Sequence, residues 1–242
     1  MYAYYRDGEK NIESTEKELM FSLSKSYDMY RYLLLTICEV YECGVRALEI
    51  RRSRARRLNI TEDEDTAFAD NRFARQLAEN KQLAAFRDKV GAEWIDEALI
   101  RKLYRTIIES EEYGDYRKIK APTYADDRAF WRKVYKAYFV GSDELDAYLE
   151  ERSLYWNDDK TVVDSFVLKT IKRFDESAGA EQTLLPEYDS ELDREFAAKL
   201  IHEVLANDEY YRNLIRENAK NWDFSRLAFM DLIVMQIALA EI

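Results

Sequence analysis

Between Leu19 and Tyr41 the apolar positions recur at three or four residues: Leu19, Leu23, Tyr27, Tyr30, Leu34, Ile37 and Tyr41. That spacing places them on one face of an α-helix and predicts a long amphipathic element. Thr15, with Glu18 three positions on, is the expected N-cap and capping box, and the helix is expected to run on into Arg51–Arg57. The acidic, polar run Thr61–Asp65 then marks a loop.

Beyond that loop the pattern repeats. Asp127-Arg128-x-Phe130 recurs as Asp193-Arg194-x-Phe196, 66 residues on, and the same displacement pairs Lys133 with Lys199, Glu151 with Glu217, Trp156 with Trp222 and Ile171 with Ile237. A fainter copy begins at Asp70-x-x-Phe73 and reaches Trp94 after a shorter spacing. Each copy reads as helix, break, helix, Trp, helix, so the chain divides into residues 1–58, a divergent repeat at 66–120, a second repeat at 123–180 and a third at 187–242. Pro122 and Pro186 sit just upstream of the last two, where linkers belong. Asp70, Asp127 and Asp193 suit the positive end of a helix, as caps or first-turn residues. Phe130 and Phe196 are expected in equivalent inward positions, and Trp156 and Trp222 as equivalent core plugs. From Leu227 to Ile242 the chain is apolar nearly all round, so this last helix expects neighbours on most sides.

Composition agrees with an all-α, multi-helix bundle. Two prolines and six glycines are too few for the turns of a sandwich or barrel. Thirty-seven Lys and Arg stand against 48 Asp and Glu, a formal net charge of −11, which opposes non-specific attraction to nucleic acid or an anionic membrane. No apolar run is long enough to span a bilayer. The two cysteines, Cys38 and Cys43, point apart on a helix and read as packed thiols of a reducing, intracellular compartment.

Candidate chemistry is sparse. His202 is the sole histidine. Nucleophilic triads and two-histidine metal sites lack their partners, and Lys199 stands where a di-iron helix would need Glu. No glycine-rich phosphate loop occurs. These residues point to a binding protein without cofactor, metal or small-molecule substrate. The one local feature that could contact phosphates is the arginine run Arg46, Arg51, Arg52, Arg54, Arg56 and Arg57. Its arginines wrap around a helix, and cations at a helix C-terminus also have a purely structural use against the macrodipole.

Asp193-Arg194-Glu195-Phe196-Ala197, then Leu200-Ile201, Val204 and Leu214-Ile215, then Asn221-Trp222-Asp223-Phe224-Ser225-Arg226-Leu227 resemble the NusB family of transcription antitermination factors. The run on to Asp231, Ile233, Ala238, Glu241 and Ile242 resembles the helix that begins that family's C-terminal half. Tyr2-Ala3-Tyr4-Tyr5 resembles the end of its first helix. Asn71-Arg72-Phe73 and Trp156–Asp159 look like the enlarged members found in Bacteroidetes. The resemblance implies an all-helical, cytoplasmic, non-enzymatic protein that pairs with the ribosomal protein NusE, binds boxA RNA and joins the RNA polymerase antitermination complex that supports ribosomal RNA transcription. It also implies truncation at both ends. The family's arginine-rich RNA-contacting segment lies upstream of the position of Met1, so weak boxA binding is expected, with Tyr2 carried over as an RNA-side residue and Arg51, Arg52 and Arg54 as further candidates. The alternatives are a helical protein-interaction scaffold without RNA binding, and a NusB-like domain attached to an RNA methyltransferase, for which no cofactor-binding glycine motif is present.

Overall fold

The computed structural model describes residues 4–5, 11–60, 65–91, 94–156, 159–219 and 226–242. Among them secondary structure is helical throughout, as the sequence predicts. Tyr2 and Trp222 lie outside the described residues, as does most of the acidic loop expected after Arg57.

The first long helix, α1, spans Ile12–Leu58. It starts three residues before Thr15, because the Asn11 side chain accepts the Ser14 N–H at 3.1 Å and supplies the cap. Thr15 lies inside the helix, its hydroxyl donating to the Asn11 carbonyl. The chain then forms α2 (Arg72–Ala78), α3 (Lys81–Val90), α4 (Glu97–Ile108), α5 (Glu111–Tyr116), α6 (Tyr124–Tyr138), α7 (Asp143–Arg152), α8 (Lys160–Arg173), α9 (Glu191–Ala206), α10 (Asp208–Asn218) and α11 (Phe229–Glu241).

Contacts gather these helices into two compact units, one of residues 1–24 with 186–242 and the other of residues 25–185. This grouping cuts across the four segments read from the sequence.

In the 25–185 unit α1 is the central element. Six consecutive residues, Leu33 to Cys38, are at most 1% exposed, and six residues exceed one and a half turns. The helix is therefore enclosed on every side at that level, and Leu, Ile and Cys fill the enclosure while Thr36 returns its hydroxyl to the Tyr32 carbonyl. Local side chains start the surrounding helices. Asn71 caps α2 by accepting the Ala74 N–H, and Asn80 caps α3 by accepting from Gln82 and Leu83. Thr123 and Asp126 form a capping box on α6. The two described repeat tryptophans converge on one α1 residue: Tyr32 meets Trp156 edge-to-face at 5.2 Å and Trp94 tilted at 5.3 Å. Trp156 also donates its indole N–H to the Lys25 carbonyl at 2.7 Å. The tryptophans are plugs, as their position between helices predicts.

In the other unit, α9 and α10 pack on α11, and Tyr4, Ile201 and Leu205 make a small core with Ile12 and Leu19 beside it. Asp208 is the polar hub. It accepts from Tyr5 Oη at 2.7 Å, Arg212 Nε at 2.7 Å and Gln236 Nε2 at 2.6 Å. Burial pushes its carboxyl up, but the bonds from Tyr5, Arg212 and Gln236 outweigh burial and hold it below the usual range. A carboxyl depressed by folding contributes stability that is complete above its unfolded value near ~4 and is lost as pH falls through the folded value. Asp208→Asn is therefore expected to melt at a lower temperature than the parent near neutrality. The gap should narrow as pH drops below about 4. A melting difference independent of pH would contradict the hub's role.

The repeat does not superpose in the register the 66-residue displacement implies. Phe130 is 3% exposed and Phe196 51%. The physical reason lies at the helix starts. Thr123 caps α6 seven residues before Phe130, whereas Ser190 precedes α9 only six residues before Phe196. One residue turns a side chain by about 100°. Aligning the caps instead sets buried Val134 against buried Ile201, and Phe130 against Ala197. Asp193 is the first-turn acid expected of it, accepting from the Ser190 N–H at 2.9 Å. Asp127 is in the first turn too, but it is buried and accepts from Tyr116 Oη at 2.6 Å and from both the N–H and Nε of Arg72. Asp70 is not a cap, since Asn71 holds that position.

Candidate nucleic-acid interface

The arginine run occupies the last turns of α1, where Ala, Leu and Arg favour helix. Leu48 is the last buried residue of that helix. From Glu49 to Leu58 none is buried, so about 15 Å of helix stands proud of the core. The helix ends on a defined cap. Asn59 takes a positive φ of 50°, the Ile60 N–H reaches back to the Ala55 carbonyl at 3.1 Å and the Asn59 N–H to the Arg56 carbonyl at 3.4 Å. This pair of bonds is a Schellman motif, with asparagine at the left-handed position. It holds the arginines helical to the end of α1.

Arg51, Arg54, Arg56 and Arg57 are exposed, and Arg52 is half-buried. Arg46, at the base, faces Glu42 at 3.8 Å, and Arg56 Nε donates weakly to the Arg52 carbonyl at 3.4 Å. Among the described residues, Arg51, Arg54 and Arg57 pair with no carboxylate. The exposed apolar side chains Ile50, Leu58 and Ile60 are interleaved with them. Burial pushes the Cys43 thiol and the Tyr104 phenol up, with Arg46 and Arg51 respectively opposing.

The structure places Arg51, Arg52 and Arg54 on this projection with Arg56 and Arg57, Arg51 and Arg54 on one side and Arg52 on the other. What the sequence did not show was that no residue of the helix after Leu48 is buried among the described residues. The Asn59-Ile60 pair directly after the arginines was the signal for its stop. A groove at the base, between α1 and α2, is lined by Tyr41, Val45, Arg46 and Arg75 together with Glu42, Glu49 and Glu79. Its carboxylates make it a poor anion site. Elsewhere, His202 is exposed on α9, and among the described residues no group of three or more His, Cys, Asp or Glu is placed to hold a metal ion. No described helix is long and apolar enough to cross a membrane.

Comparison with known proteins places the C-terminal part of the chain. Residues 164–242, from α8 to α11, match the model of the NusB family. The transcription antitermination protein NusB of Geotalea daltonii is 31% identical over 91 residues, covering 38% of this chain and 60% of that protein. That of Caldicellulosiruptor saccharolyticus is 36% identical over 52 residues, covering 22% of this chain and 40% of its own length. The chain thus spans 60% or less of these curated relatives. No solved structure matches it. The C-terminal part of the chain, which carries α9, α10 and α11, is thus similar to NusB proteins.

Proposed function

We propose that this chain is a transcription antitermination factor that binds boxA RNA together with NusE, joins the RNA polymerase antitermination complex in the cytoplasm and supports ribosomal RNA transcription. The observation that carries this reading is the family match over residues 164–242. It takes in every helix of the C-terminal half of the smaller unit, where Asp208 ties α10 to α11. On this reading the protein acts by binding and performs no catalysis. Arg51, Arg52 and Arg54 are its RNA-side residues in the described structure, and Tyr2 a further one outside it.

A second reading, a helical scaffold that binds only proteins, is favoured by the net charge of −11, which opposes RNA binding by the chain as a whole. The test is transcription in vitro from a template with a boxA leader ahead of a terminator, with NusE and the other elongation factors present. Read-through that rises on adding the chain, and falls when boxA is scrambled, is the expected result. Capture of NusE without any effect of boxA would establish the scaffold reading in its place.

A further inference from the structure

We infer that the projecting end of α1 is a phosphate-backbone clamp for single-stranded RNA, supplying sequence-independent affinity. The inference rests on the RNA-binding reading above and assigns that surface a specific part in it.

Three observations carry the clamp. First, the cationic groups between residues 46 and 57 are all arginines, with no lysine among them. Guanidinium binds phosphate through paired N–H donors and also stacks on bases, whereas ammonium acts as a point charge. Second, the arginines are distributed around the helix. At about 100° per residue, Arg46, Arg57, Arg54 and Arg51 fan across one side while Arg52 and Arg56 lie on the other. A flexible strand can lie along or around such a projection. An anionic bilayer, by contrast, needs an apolar face segregated from the charges, and here Ile50 and Leu58 stand among the arginines. Third, no residue of the helix after Leu48 is buried among the described residues, and its Schellman cap keeps the side chains presented in the free protein. Little ordering is then needed on binding.

The clamp is a positioning surface, since nothing on it reads a base. Tyr41 and Tyr104, the aromatics near its base, are turned into the core, Tyr41 donating to the Ala69 carbonyl and Tyr104 meeting Phe68 edge-to-face. Phosphate contacts fix a strand's register without carrying sequence information. Each phosphate the clamp contacts releases counterions, so the affinity it lends is salt-sensitive.

The experiment measures binding of the full chain to a short labelled boxA RNA and to a scrambled RNA of the same composition, from roughly 50 to 200 mM salt. The variant combines Arg51→Gln, Arg54→Gln and Arg57→Gln. These side chains are exposed, so the fold should be unaffected. The variant is expected to weaken both RNAs by the same factor, tenfold or more at the low-salt end. It should also flatten the log–log salt slope by about 2, at ~0.7 per lost contact on a single strand. The corresponding lysine variant should recover the slope but not all of the affinity. A glutamine variant that binds both RNAs as the parent does would overturn the clamp. So would binding to phosphatidylserine vesicles with none to RNA. Weakening confined to boxA would also overturn it, by showing base selection there. Equal loss on both RNAs, with no boxA preference in the parent, would uphold the clamp and remove the boxA reading.

Discussion

Trp156→Ala is expected to lower the stability of the 25–185 unit by about 3–5 kcal/mol, the range for removing a buried tryptophan. Trp156 is 5% exposed and packs edge-to-face on Tyr32, so truncation opens a cavity against α1. It also removes the hydrogen bond that the indole gives as a second donor to the Lys25 carbonyl, which adds about 0.5–1.5 kcal/mol within that loss. Trp156→Phe separates the two effects. It keeps most of the ring and loses only the donor, so about 1–2 kcal/mol should go. Denaturant unfolding followed by far-ultraviolet circular dichroism gives both values. A shift below 1 kcal/mol for the alanine variant would show that the tryptophan does not seal the helix junction.

The second large effect is at Gly44. A Cβ there would lie 2.6 Å from Phe68 Cε1 and 2.9 Å from Tyr104 Cε2, closer than real Cβ contacts come. Phe68 cannot swing aside, because Tyr113, Phe130 and Trp131 hold it from other directions at 5.6–6.3 Å between ring centres. Alanine gains up to about 1 kcal/mol of helix propensity over glycine, which overpacking by about 1–3 kcal/mol outweighs. Gly44→Val adds a branched side chain to the same gap and is expected to cost about 3 kcal/mol. Phe68→Ala alone should cost about 3–5 kcal/mol by leaving a cavity. The two together should cost less than their sum by up to about 3 kcal/mol, since the valine then fills part of the hole. Strict additivity in that double-mutant cycle would mean that the glycine is not kept for the phenyl ring.

These two sites differ in how far the sequence disclosed them. Trp156 was legible because a rare residue recurred in step with a helix–break–helix pattern. Gly44 was not, since its reason is a ring 24 residues away that arrives only by tertiary packing. The stripe from Leu19 to Tyr41 announced α1, yet not that Leu33–Cys38 would be enclosed on all sides. Periodicity reports one face, and the second face here is supplied by Leu35 and Thr36. The register of the repeat was misread by one residue because identity of Asp-Arg-x-Phe outweighed the caps. Thr123 with Asp126 and Ser190 with Asp193 are three-residue pairs that, read as helix starts, set the displacement at 67. At the candidate site the charge of the arginine run was plain, but its exposure depends on which helices fail to reach past Leu48, and no local signal records that.

The Asp208 hub joins residue 5 to residue 236, and so the smaller unit is built from the two extremes of the chain while residues 25–185 form a unit complete in themselves. In a chain made from its N-terminus at roughly 5–20 residues per second, the central unit has all its parts several seconds before α11 exists. Tyr4, Tyr5 and the first turns of α1 must wait through that interval with their apolar side chains unmatched. Closing the smaller unit then depends on the central one having already folded, because a folded insert shortens the loop that would otherwise separate its halves. Residues 25–185 are therefore expected to fold before α9, α10 and α11 close on residues 4–24.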